Sequence, residues 1–432
     1  MQNFNQIGTK MYQWATDLFP ICRSLTGQGV RDTLSYLQQQ IPELTIESIK
    51  SGEQVFDWQV PQEWNIKQAF IENETGERVI DFANSNLHVM GYSEPIDKVI
   101  ELEELNTHLY SLPNQPDAIP YITSYYQRRW GFCVTENQRK ALKAGKYRVK
   151  IDSTLEDGIL NYGQLLIKGR SDKEILLSTY VCHPSLANNE LSGPVVTTAL
   201  AQWLTSLTTT EYSYRIIFVP ETIGAITYLS RHFDHMKANT IAGFVVTCVG
   251  DNNDYSFVPS RSEKSLADKV ALHALKHSVD NFQQYTFLQR GSDERQYCAP
   301  GVDLPVCSVM RTKYGEYPEY HTSLDNLDVI SPEGLQGGFS IIQQCLLLLE
   351  SNHKYQVTVL CEPQLGKRGL YPTLSSMTED YTDVITMMDF IAYCDGDHDL
   401  IDIANKIGCY AIDLIALANR LFNEGLLKKV TE

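Results

Sequence analysis

Apolar residues in the first forty positions follow a helical spacing. Four of them fall on one face of a predicted helix: Met11, Trp14, Ala15 and Leu18. The glycine-containing break RSLTGQGV ends this helix, and a second helix follows. From residue 41 to residue 164 the pattern changes to short runs of alternating apolar and polar residues, such as KYRVKID, separated by Pro, Gly and Asn turns. We expect an inserted β-rich domain over this range.

Apolar strands alternate with amphipathic helices in the next part of the chain. The predicted strands cover residues 174–180, 215–219, 241–249 and 304–310, and the predicted helices cover residues 193–207, 265–277 and 332–350. Such alternation is typical of an α/β domain. We expect residues 1–40 and 165–360 to form one, with a mostly parallel mixed sheet flanked by helices.

The last part of the chain, residues 375–432, predicts a small winged-helix domain. Its helical patterns cover residues 381–393, 400–407 and 411–422, and a short apolar run closes the chain. Eleven Asp and Glu residues against four Lys and Arg give this tail a charge of −7. DNA binding is therefore disfavoured, because phosphates would be repelled, and we expect a role in packing or in homo-oligomer formation.

Charge and composition narrow the classes of function. A net charge of −17 disfavours nucleic acid and anionic membranes as partners, so a small molecule or a peptide is the expected substrate. The first twenty residues show no secretory signal, and a run of about 18 apolar residues is missing, so we expect a cytoplasmic protein. The ten cysteines are scattered without a C-x-x-C pair, which is typical of reduced, buried thiols.

Histidines and acidic residues follow the predicted strands. His183 and Glu221 come after the first two, Asp251 comes directly after the third, and the fourth leads through a loop to His321 and Asp325. Because ligands bind at the carboxyl ends of strands in open parallel sheets, these side chains are expected to converge. A single histidine at a strand end more often has a structural role. The prediction of a functional site therefore rests on the placement of all these residues beyond the ends of strands.

Two histidines and two carboxylates are the groups that a hydrolytic zinc site needs. Zinc binds imidazole and carboxylate at about 2.0–2.2 Å and lowers the pKa of a bound water to about 7. A carboxylate that stands beside the metal without binding it can take the proton of the water and pass it to the leaving amine. We assign that role to Glu221.

At these residues the sequence resembles the zinc aminopeptidase family of bacterial leucyl aminopeptidase, glutamate carboxypeptidase and glutaminyl cyclase. That family carries an early metal-binding His, a D-x-x-S-G motif, a Glu-Glu pair, a later Asp and a late His. His183 matches the first His, and LSG at residues 191–193 matches the end of D-x-x-S-G. Glu221 matches the catalytic Glu, Asp251 the later Asp and His321 the late His. The resemblance implies a zinc exopeptidase-like fold.

Longer phrases resemble a bacterial aminopeptidase-like subgroup of unassigned function. These phrases span nearly the whole chain and include VFDWQVPQEWNI, VCHPSLANNELSG, RGSDERQYCAPGV and YHTSLDNLDVIS. The resemblance implies a β domain inserted near the N-terminus and a winged-helix tail. Members of the subgroup often accompany surface-polysaccharide biosynthesis.

The chain departs from the family pattern at three positions. Asn189 stands in place of the metal-bridging Asp, Thr222 in place of the second Glu, and Ser185 in place of an Asp that orients the first His. Losing two anionic ligands weakens a two-metal site, so we expect one zinc ion. The expected ligands are His183, Asp251 and His321, with Asn189 or the neighbouring Glu190 as a further one.

The phrase SDERQYC offers a further polar cluster, since Asp293, Glu294 and Arg295 could bind a charged end of the substrate or form a surface ion cluster. We interpret the chain as a metal-dependent hydrolase of the aminopeptidase type that cleaves an amide in a small peptide or aminoacyl conjugate. One alternative is amide or acyl transfer, or cyclisation, in surface-polysaccharide metabolism. Another is a non-catalytic binding protein with a degraded metal site, which Asn189 and Thr222 favour.

Overall fold

The computed structural model describes residues 4–370 and 380–430. Of the predicted winged-helix domain, residues 375–379, 431 and 432 lie outside the described residues. The described chain divides into two compact units, residues 1–268 with 281–340 and residues 269–280 with 341–432. No helix of the described ranges is both long enough and apolar enough to cross a membrane.

Helices of the described residues alternate with strands through most of the chain. They are α1 (Gly8–Leu18), α2 (Gln28–Gln40), α3 (Leu102–Asn106), α4 (Glu136–Ala141), α5 (Ser192–Ser206), α6 (Ile223–Asn239), α7 (Leu266–Ser278), α8 (Glu294–Tyr297), α9 (Pro332–Ser351), α10 (Asp380–Ala392), α11 (Leu400–Ile407) and α12 (Ala411–Asn423). A π-helical turn, Ala187–Leu191, leads into α5. The apolar face predicted for α1 is buried, which confirms the helical spacing there.

Strands of the described residues form one large sheet and several small ones. They are β1 (Thr45–Lys50), β2 (Gln54–Val55), β3 (Trp58–Gln59), β4 (Glu63–Asn73), β5 (Arg78–Asp81), β6 (Ile96–Glu101), β7 (Leu109–Tyr110), β8 (Phe132–Cys133), β9 (Lys146–Glu156), β10 (Ile159–Ile167), β11 (Glu174–Tyr180), β12 (Ser213–Val219), β13 (Thr240–Val245), β14 (Ser256–Val258), β15 (Gln283–Gln284), β16 (Val306–Met310), β17 (Lys354–Val357), β18 (Asp395–Asp399) and β19 (Leu427–Lys429).

The large sheet has the strand order β1-β10-β12-β11-β13-β16-β14-β15. Its four central strands, β12, β11, β13 and β16, are parallel. Toward one edge β10 is antiparallel to β12 and β1 to β10, and toward the other edge β14 is antiparallel to β16 and parallel to β15. All seven residues of β11 and of β12 are buried, as expected for strands covered on both faces. The sheet is mixed and flanked by helices, which confirms the predicted fold class.

A second, four-stranded antiparallel sheet of order β5-β4-β9-β6 comes from the region between β1 and β10. Alternate residues of β9, including Val149 and Ile151, are buried in a core shared with the large sheet. The two strands that flank this region, β1 and β10, belong to the large sheet. The hairpin of β2 and β3 and a loop at residues 118–131 also belong to the region between them.

The second compact unit contains a three-stranded antiparallel sheet of order β18-β17-β19 with helices α10, α11 and α12. Two residues cap helix α11. Asp399 precedes it and accepts a hydrogen bond from the backbone of Asp402 through its side chain, and Gly408 follows it with a φ of 85°. Three helices with a small sheet agree with the predicted winged helix.

Candidate active site

Two predicted metal ligands, His183 and His321, lie next to each other in the structure, with their rings tilted by 39°. His183 follows β11, and His321 lies in the loop after β16; their ring centroids are 5.5 Å apart. Tyr121 packs against both, at centroid distances of 4.9 Å and 5.2 Å. His321 has a φ of 56°, a strained conformation for a non-glycine residue, and its ring stacks on Tyr320. The fold therefore brings together the two histidines that the sequence separates by 138 positions.

A buried carboxylate fixes the orientation of the His183 ring. The Nδ1 atom of His183 lies 2.6 Å from Oε2 of Glu190, and both side chains are buried. If Nδ1 carries the proton and donates it to Glu190, then Nε2 is left unprotonated. This Nε2 lies 3.5 Å from Oε2 of Glu221, so it points to the third predicted residue of the site. A histidine held by a carboxylate in this way is the usual arrangement for metal binding.

Arg23 provides a positive charge behind Glu190. Its Nε donates to the backbone oxygen of His183 at 2.9 Å, and another of its nitrogens donates to the backbone oxygen of Leu18 at 2.8 Å. Nε also lies 3.8 Å from Glu190 Oε1. Burial raises the pKa of Glu190 to about 8, and Arg23 opposes this shift. The ionised form of Glu190, which His183 needs as an acceptor, thus depends on Arg23.

Arg23 was not predicted as a site residue, and Glu190 was predicted only as an alternative metal ligand. A signal was present, because Arg23 is a charged residue within the apolar segment LFPICRSL, and a buried charge requires a partner. That partner could not be identified from sequence, since Arg23 and Glu190 meet only in the folded chain.

Both histidines are neutral at neutral pH. Burial lowers the pKa of His183 to about 3, and the Arg23 cation adds to that shift. Burial also lowers the pKa of His321 to about 3, with repulsion from His183 as a second cause. Within the described residues, no hydrogen bond reaches the ring nitrogens of His321. Neutral imidazoles with free nitrogens are the form that binds a metal.

Glu221 lies where β12 ends, and its backbone N–H donates to Sγ of Cys182 at 3.2 Å. Its side chain is 21% exposed, so it is accessible from the site. Burial raises the pKa of Glu221 well above its ordinary value, and the nearby Asp293 carboxyl adds to the shift. The next residue, Thr222, has a φ of 63°, which is a rare conformation for a β-branched side chain. Backbone strain of this kind is often found at functional positions.

Asp293 and Arg295 both lie next to Thr222, the residue that follows Glu221. Oδ1 of Asp293 accepts the backbone N–H of Thr222 at 2.7 Å, and burial raises the pKa of Asp293 to about 7. Its second oxygen, Oδ2, is buried and has no hydrogen-bond partner among the described residues. A guanidinium nitrogen of Arg295 donates to Oγ1 of Thr222 at 3.1 Å. Two of the three predicted substrate-binding residues thus contact Thr222, next to Glu221.

Glu294, the third predicted substrate-binding residue, is a structural residue. Its Oε1 accepts the backbone N–H groups of Gly291 and Ser292 and the hydroxyl of Tyr314. The side chain is fully buried by these contacts and does not line the cavity described below. The prediction placed Glu294 in the site because it adjoins Asp293 in sequence, but α8 directs the two side chains to different partners.

Asp251, predicted as a metal ligand, does not lie with the two histidines in the cavity. Oδ1 accepts hydrogen bonds from the backbone of Asn253 and the hydroxyl of Thr312, and Oδ2 from the amide of Asn188 and the backbone of Thr312. A carboxylate has about four acceptor sites, and these four donors use them. In the structure Asp251 therefore ties two loops together outside the cavity lining, and its role as a metal ligand stays a prediction.

Asn189, the remaining predicted ligand, is buried beside the site. Its side-chain nitrogen donates to the Tyr180 hydroxyl at 2.6 Å, and its backbone N–H donates to Asp325 at 2.9 Å. The Tyr180 ring packs against the His183 ring at 5.3 Å between centroids. Oδ1 of Asn189 is buried and has no hydrogen-bond partner among the described residues. A neutral amide oxygen thus stays available one residue away from Glu190.

A cavity of about 320 Å³ opens onto this group. Its lining combines the predicted catalytic groups with an aromatic wall: Leu25, Trp58, Tyr121, Thr123, Tyr125, Tyr126, Cys182, His183, Glu221, Thr222, Ile223 and His321. Neither Asn189 nor Asp251 belongs to this lining. A cavity of this size is typical of a site for a small ligand.

The separation of the two histidines that face the cavity is compatible with both binding one metal ion. Two imidazoles on one tetrahedral zinc, with bonds of about 2.0–2.1 Å, place their ring centroids roughly 5 Å apart, close to the observed separation of His183 and His321. A second cluster of donor atoms, Cys182, His183 and Glu190, would use Nδ1 of His183. A metal ion bound there would replace the hydrogen bond between Nδ1 of His183 and Glu190, so this cluster is an alternative to the pair of His183 and His321.

An α/β sheet with a histidine and carboxylate site at the ends of its parallel strands defines an aminopeptidase-like protein. The model of a domain of unknown function, DUF4910, matches residues 12–352, and a winged helix-turn-helix model matches residues 353–429. The chain therefore belongs to the DUF4910 family of aminopeptidase-like domains, with a C-terminal winged helix.

Relatives agree with this assignment. A Clostridium acetobutylicum protein, named as a candidate polysaccharide biosynthesis protein with an aminopeptidase-like domain, is 44% identical over 431 residues, covering 100% of this chain and 98% of its own. The crystal structure of a candidate peptidase from the same organism is 43% identical, with a TM-score of 0.93 over 99% of this chain and 98% of that one. A zinc aminopeptidase from Bacillus subtilis has a TM-score of 0.59 at 12% identity, over 81% of this chain and 96% of its own, and thus shares the fold.

Proposed function

We propose that this protein is a metal-dependent hydrolase of the aminopeptidase type that cleaves an amide bond in a small substrate. The observation that carries the proposal is the convergence of His183, His321 and Glu221 on one cavity. His183 and His321 would hold one zinc ion. The ion would polarise the substrate carbonyl and supply a water of lowered pKa.

Glu221 is the proposed general base and acid. It takes a proton from the attacking water, whose oxygen bonds to the carbonyl carbon. The carbon–nitrogen bond then breaks, and Glu221 passes the proton to the leaving nitrogen. Its position 3.5 Å from Nε2 of His183 keeps it beside the metal-binding atom, and its exposed edge faces the cavity.

Arg295 would bind a negatively charged end of the substrate. The Arg295 side chain is exposed and lies at Thr222, which lines the cavity, so its guanidinium can reach a carboxylate of the substrate. Asp293 lies behind Thr222 and limits how much negative charge this corner accepts. One Clostridium acetobutylicum relative is named as a candidate peptidase and one as a candidate polysaccharide biosynthesis protein, so both peptide amides and amides of amino sugars are proposed as substrates to test.

A second candidate function is that of a binding protein with a degraded metal site. Three observations favour it, because Asn189 and Thr222 carry no charge and the Asp251 carboxylate has no free acceptor site. Zinc content separates the two candidates. Purified protein that holds less than a few tenths of a zinc ion per chain at neutral pH would favour the binding protein.

Glu221→Gln tests the enzyme. We expect the variant to keep its zinc and to lose about 10²–10⁴-fold in the hydrolysis of the best amide in a panel of aminoacyl amides and N-acylated amino sugars. Glu104→Gln, which changes an exposed carboxylate paired with Lys98, serves as the matched control and keeps full activity. Unchanged turnover in Glu221→Gln would refute the proposal, and loss of zinc would show that Glu221 is a ligand instead of the base.

A further inference from the structure

Two large aromatic side chains stand exposed at the mouth of the active-site cavity. Trp58 is 40% exposed and Tyr126 is 54% exposed, and their rings meet edge to face at 5.6 Å between centroids. Both line the cavity that holds His183 and Glu221. Exposed apolar surface that adjoins a reactive centre is a common mark of ligand contact.

Trp58 owes its place to a tight hairpin. Strands β2 and β3 pair Val55 with Trp58, which leaves Phe56 and Asp57 as the two-residue turn. Phe56 adopts a φ of 54°, so a non-glycine residue is held in the left-handed region at this turn. The structure thus accepts backbone strain in the hairpin that presents the indole of Trp58 at the cavity.

A second cavity, of about 310 Å³, adjoins the first and shares Tyr125 and Tyr126 with it. Its lining is more polar than that of the first: Gly52, Gln59, Val60, Pro61, Gln62, Tyr92, Ser124, Tyr125, Tyr126, Gln127, Arg128, Leu155 and Asp157. One ligand can therefore occupy both cavities, with its reacting bond at Glu221 and the rest of the molecule beyond the tyrosines.

Planar polar side chains of the second cavity form a connected row. Gln62 donates from Nε2 to Asp157 at 3.1 Å and accepts from Arg128 at 2.6 Å through Oε1. Arg128 also pairs with Glu94 at 3.2 Å. These contacts fix the orientation of the side chains and place hydrogen-bond donors next to acceptors. Such a pattern suits a ligand with hydroxyl groups, because each hydroxyl both donates and accepts a hydrogen bond.

The charge of this row argues against an anionic ligand. Arg128 is compensated by Glu94, and Asp157 adds a negative charge nearby. A phosphate or nucleotide would therefore find no net positive charge here, and the whole chain repels it further with its charge of −17. The favoured ligand is uncharged, bears several hydroxyls and has a flat apolar face for an aromatic ring.

We infer that the cleft formed by Trp58, Tyr126 and the row Gln62, Arg128 and Asp157 is a subsite for a neutral sugar ring. One face of a pyranose consists of C–H groups, which pack on an aromatic ring, and its rim consists of hydroxyls. Placing the scissile amide on that sugar, as in an N-acylated amino sugar, rests on the proposed function. Binding of the sugar itself does not depend on hydrolysis.

Ligand-observed NMR titration with the methyl glycoside of N-acetylglucosamine tests this subsite. We expect saturation transfer to the ring protons, and about tenfold weaker binding in Trp58→Ala and in Tyr126→Ala, since a stacked aromatic contact contributes on that order. Phe56→Ala is the matched control, because Phe56 is 53% exposed on the same hairpin but lines neither cavity. Circular dichroism checks that each variant is folded.

Glu221→Gln separates this inference from the proposed function. The variant should bind the glycoside as the wild type does, even if neither protein hydrolyses it, so an inactive protein that binds the sugar through Trp58 supports the subsite alone. The inference is overturned if the glycoside shows no saturation transfer, if Trp58→Ala and Tyr126→Ala bind it unchanged, or if N-acetylphenylalanine amide displaces it with higher affinity.

Discussion

Replacing Glu190 by Gln tests whether this carboxylate orients His183 or binds the metal itself. Glutamine keeps the size of the side chain but removes the charge and the strong acceptor that lies 2.6 Å from Nδ1. Loss of a carboxylate that orients a metal-bound histidine typically costs 10–100-fold in metal affinity, or about 1.4–2.7 kcal/mol. We therefore expect the zinc dissociation constant of Glu190→Gln to rise by that factor while the stoichiometry is unchanged.

The same substitution also leaves Arg23 without its counter-charge. Arg23 keeps its hydrogen bonds to the backbone of His183 and Leu18, but it becomes an uncompensated buried cation, and breaking a buried pair costs about 3–5 kcal/mol. Urea denaturation of the metal-free protein at a pH above 8, where Glu190 is ionised, measures this cost. In the double variant Arg23→Met, Glu190→Gln, we expect part of the stability to return without recovery of zinc affinity.

A matched control exists in the same sheet. Glu174 and Arg215 form another buried pair, with two hydrogen bonds of 2.7 Å and 2.9 Å, at the start of β11, whereas His183 follows the end of that strand. Glu174→Gln should therefore lower stability without changing zinc affinity. Competition with a chromophoric chelator measures the affinity. An unchanged zinc affinity in Glu190→Gln would refute the orienting role, and complete loss of zinc would identify Glu190 as a ligand.

Two further predictions concern Asp251 and His321. Asp251→Asn should lower the free energy of unfolding by about 1–3 kcal/mol, because two of its four donors lose their acceptor, while the zinc content stays that of the wild type; loss of zinc would restore Asp251 as a ligand. His321 has a folded-state pKa of about 3, below its unfolded value of about 6.5, so only the unfolded chain takes up this proton between those values and stability falls as the pH decreases through that window. The stability of the metal-free wild type relative to His321→Gln should accordingly fall by up to about 1.4 kcal/mol per pH unit between about pH 6 and 4 in urea titrations, and a pH-independent difference would contradict the assignment.

Strand and helix positions in the α/β domain could be predicted because burial on both faces leaves continuous apolar runs. Strand β11 begins and ends where the pattern predicts, and so does helix α11 of the winged-helix domain. Strand β13 was predicted to reach residue 249 but ends at Val245, because the chain turns away from the sheet, with Cys248 at a φ of 51°. Helix α6 was not predicted, since its first turn lacks a side-chain cap.

The candidate site, too, could be predicted only where it depends on the position of strands. His183, His321 and Glu221 were predicted to converge because each follows a strand whose direction is fixed by the sheet. The prediction for Asp251 depended on β13 ending at residue 249. Once that strand ends four residues earlier, position 251 lies well beyond the sheet, where it binds Thr312. The partnership of Glu190 with Arg23 depends on a contact across 167 positions, which no local pattern reveals.

The distribution of charge in the site is the reason why we expect one metal ion instead of two. The positions of the bridging Asp and the second Glu hold the neutral Asn189 and Thr222. The charge of Glu190 is balanced by Arg23, and the Asp251 carboxylate accepts hydrogen bonds from Thr312. Glu221 is then the cavity-lining carboxylate left to balance a dication, with Asp293 behind it. A second dication would add charge that these groups cannot balance in a buried site, so the lost carboxylates and the expected zinc stoichiometry have one physical cause.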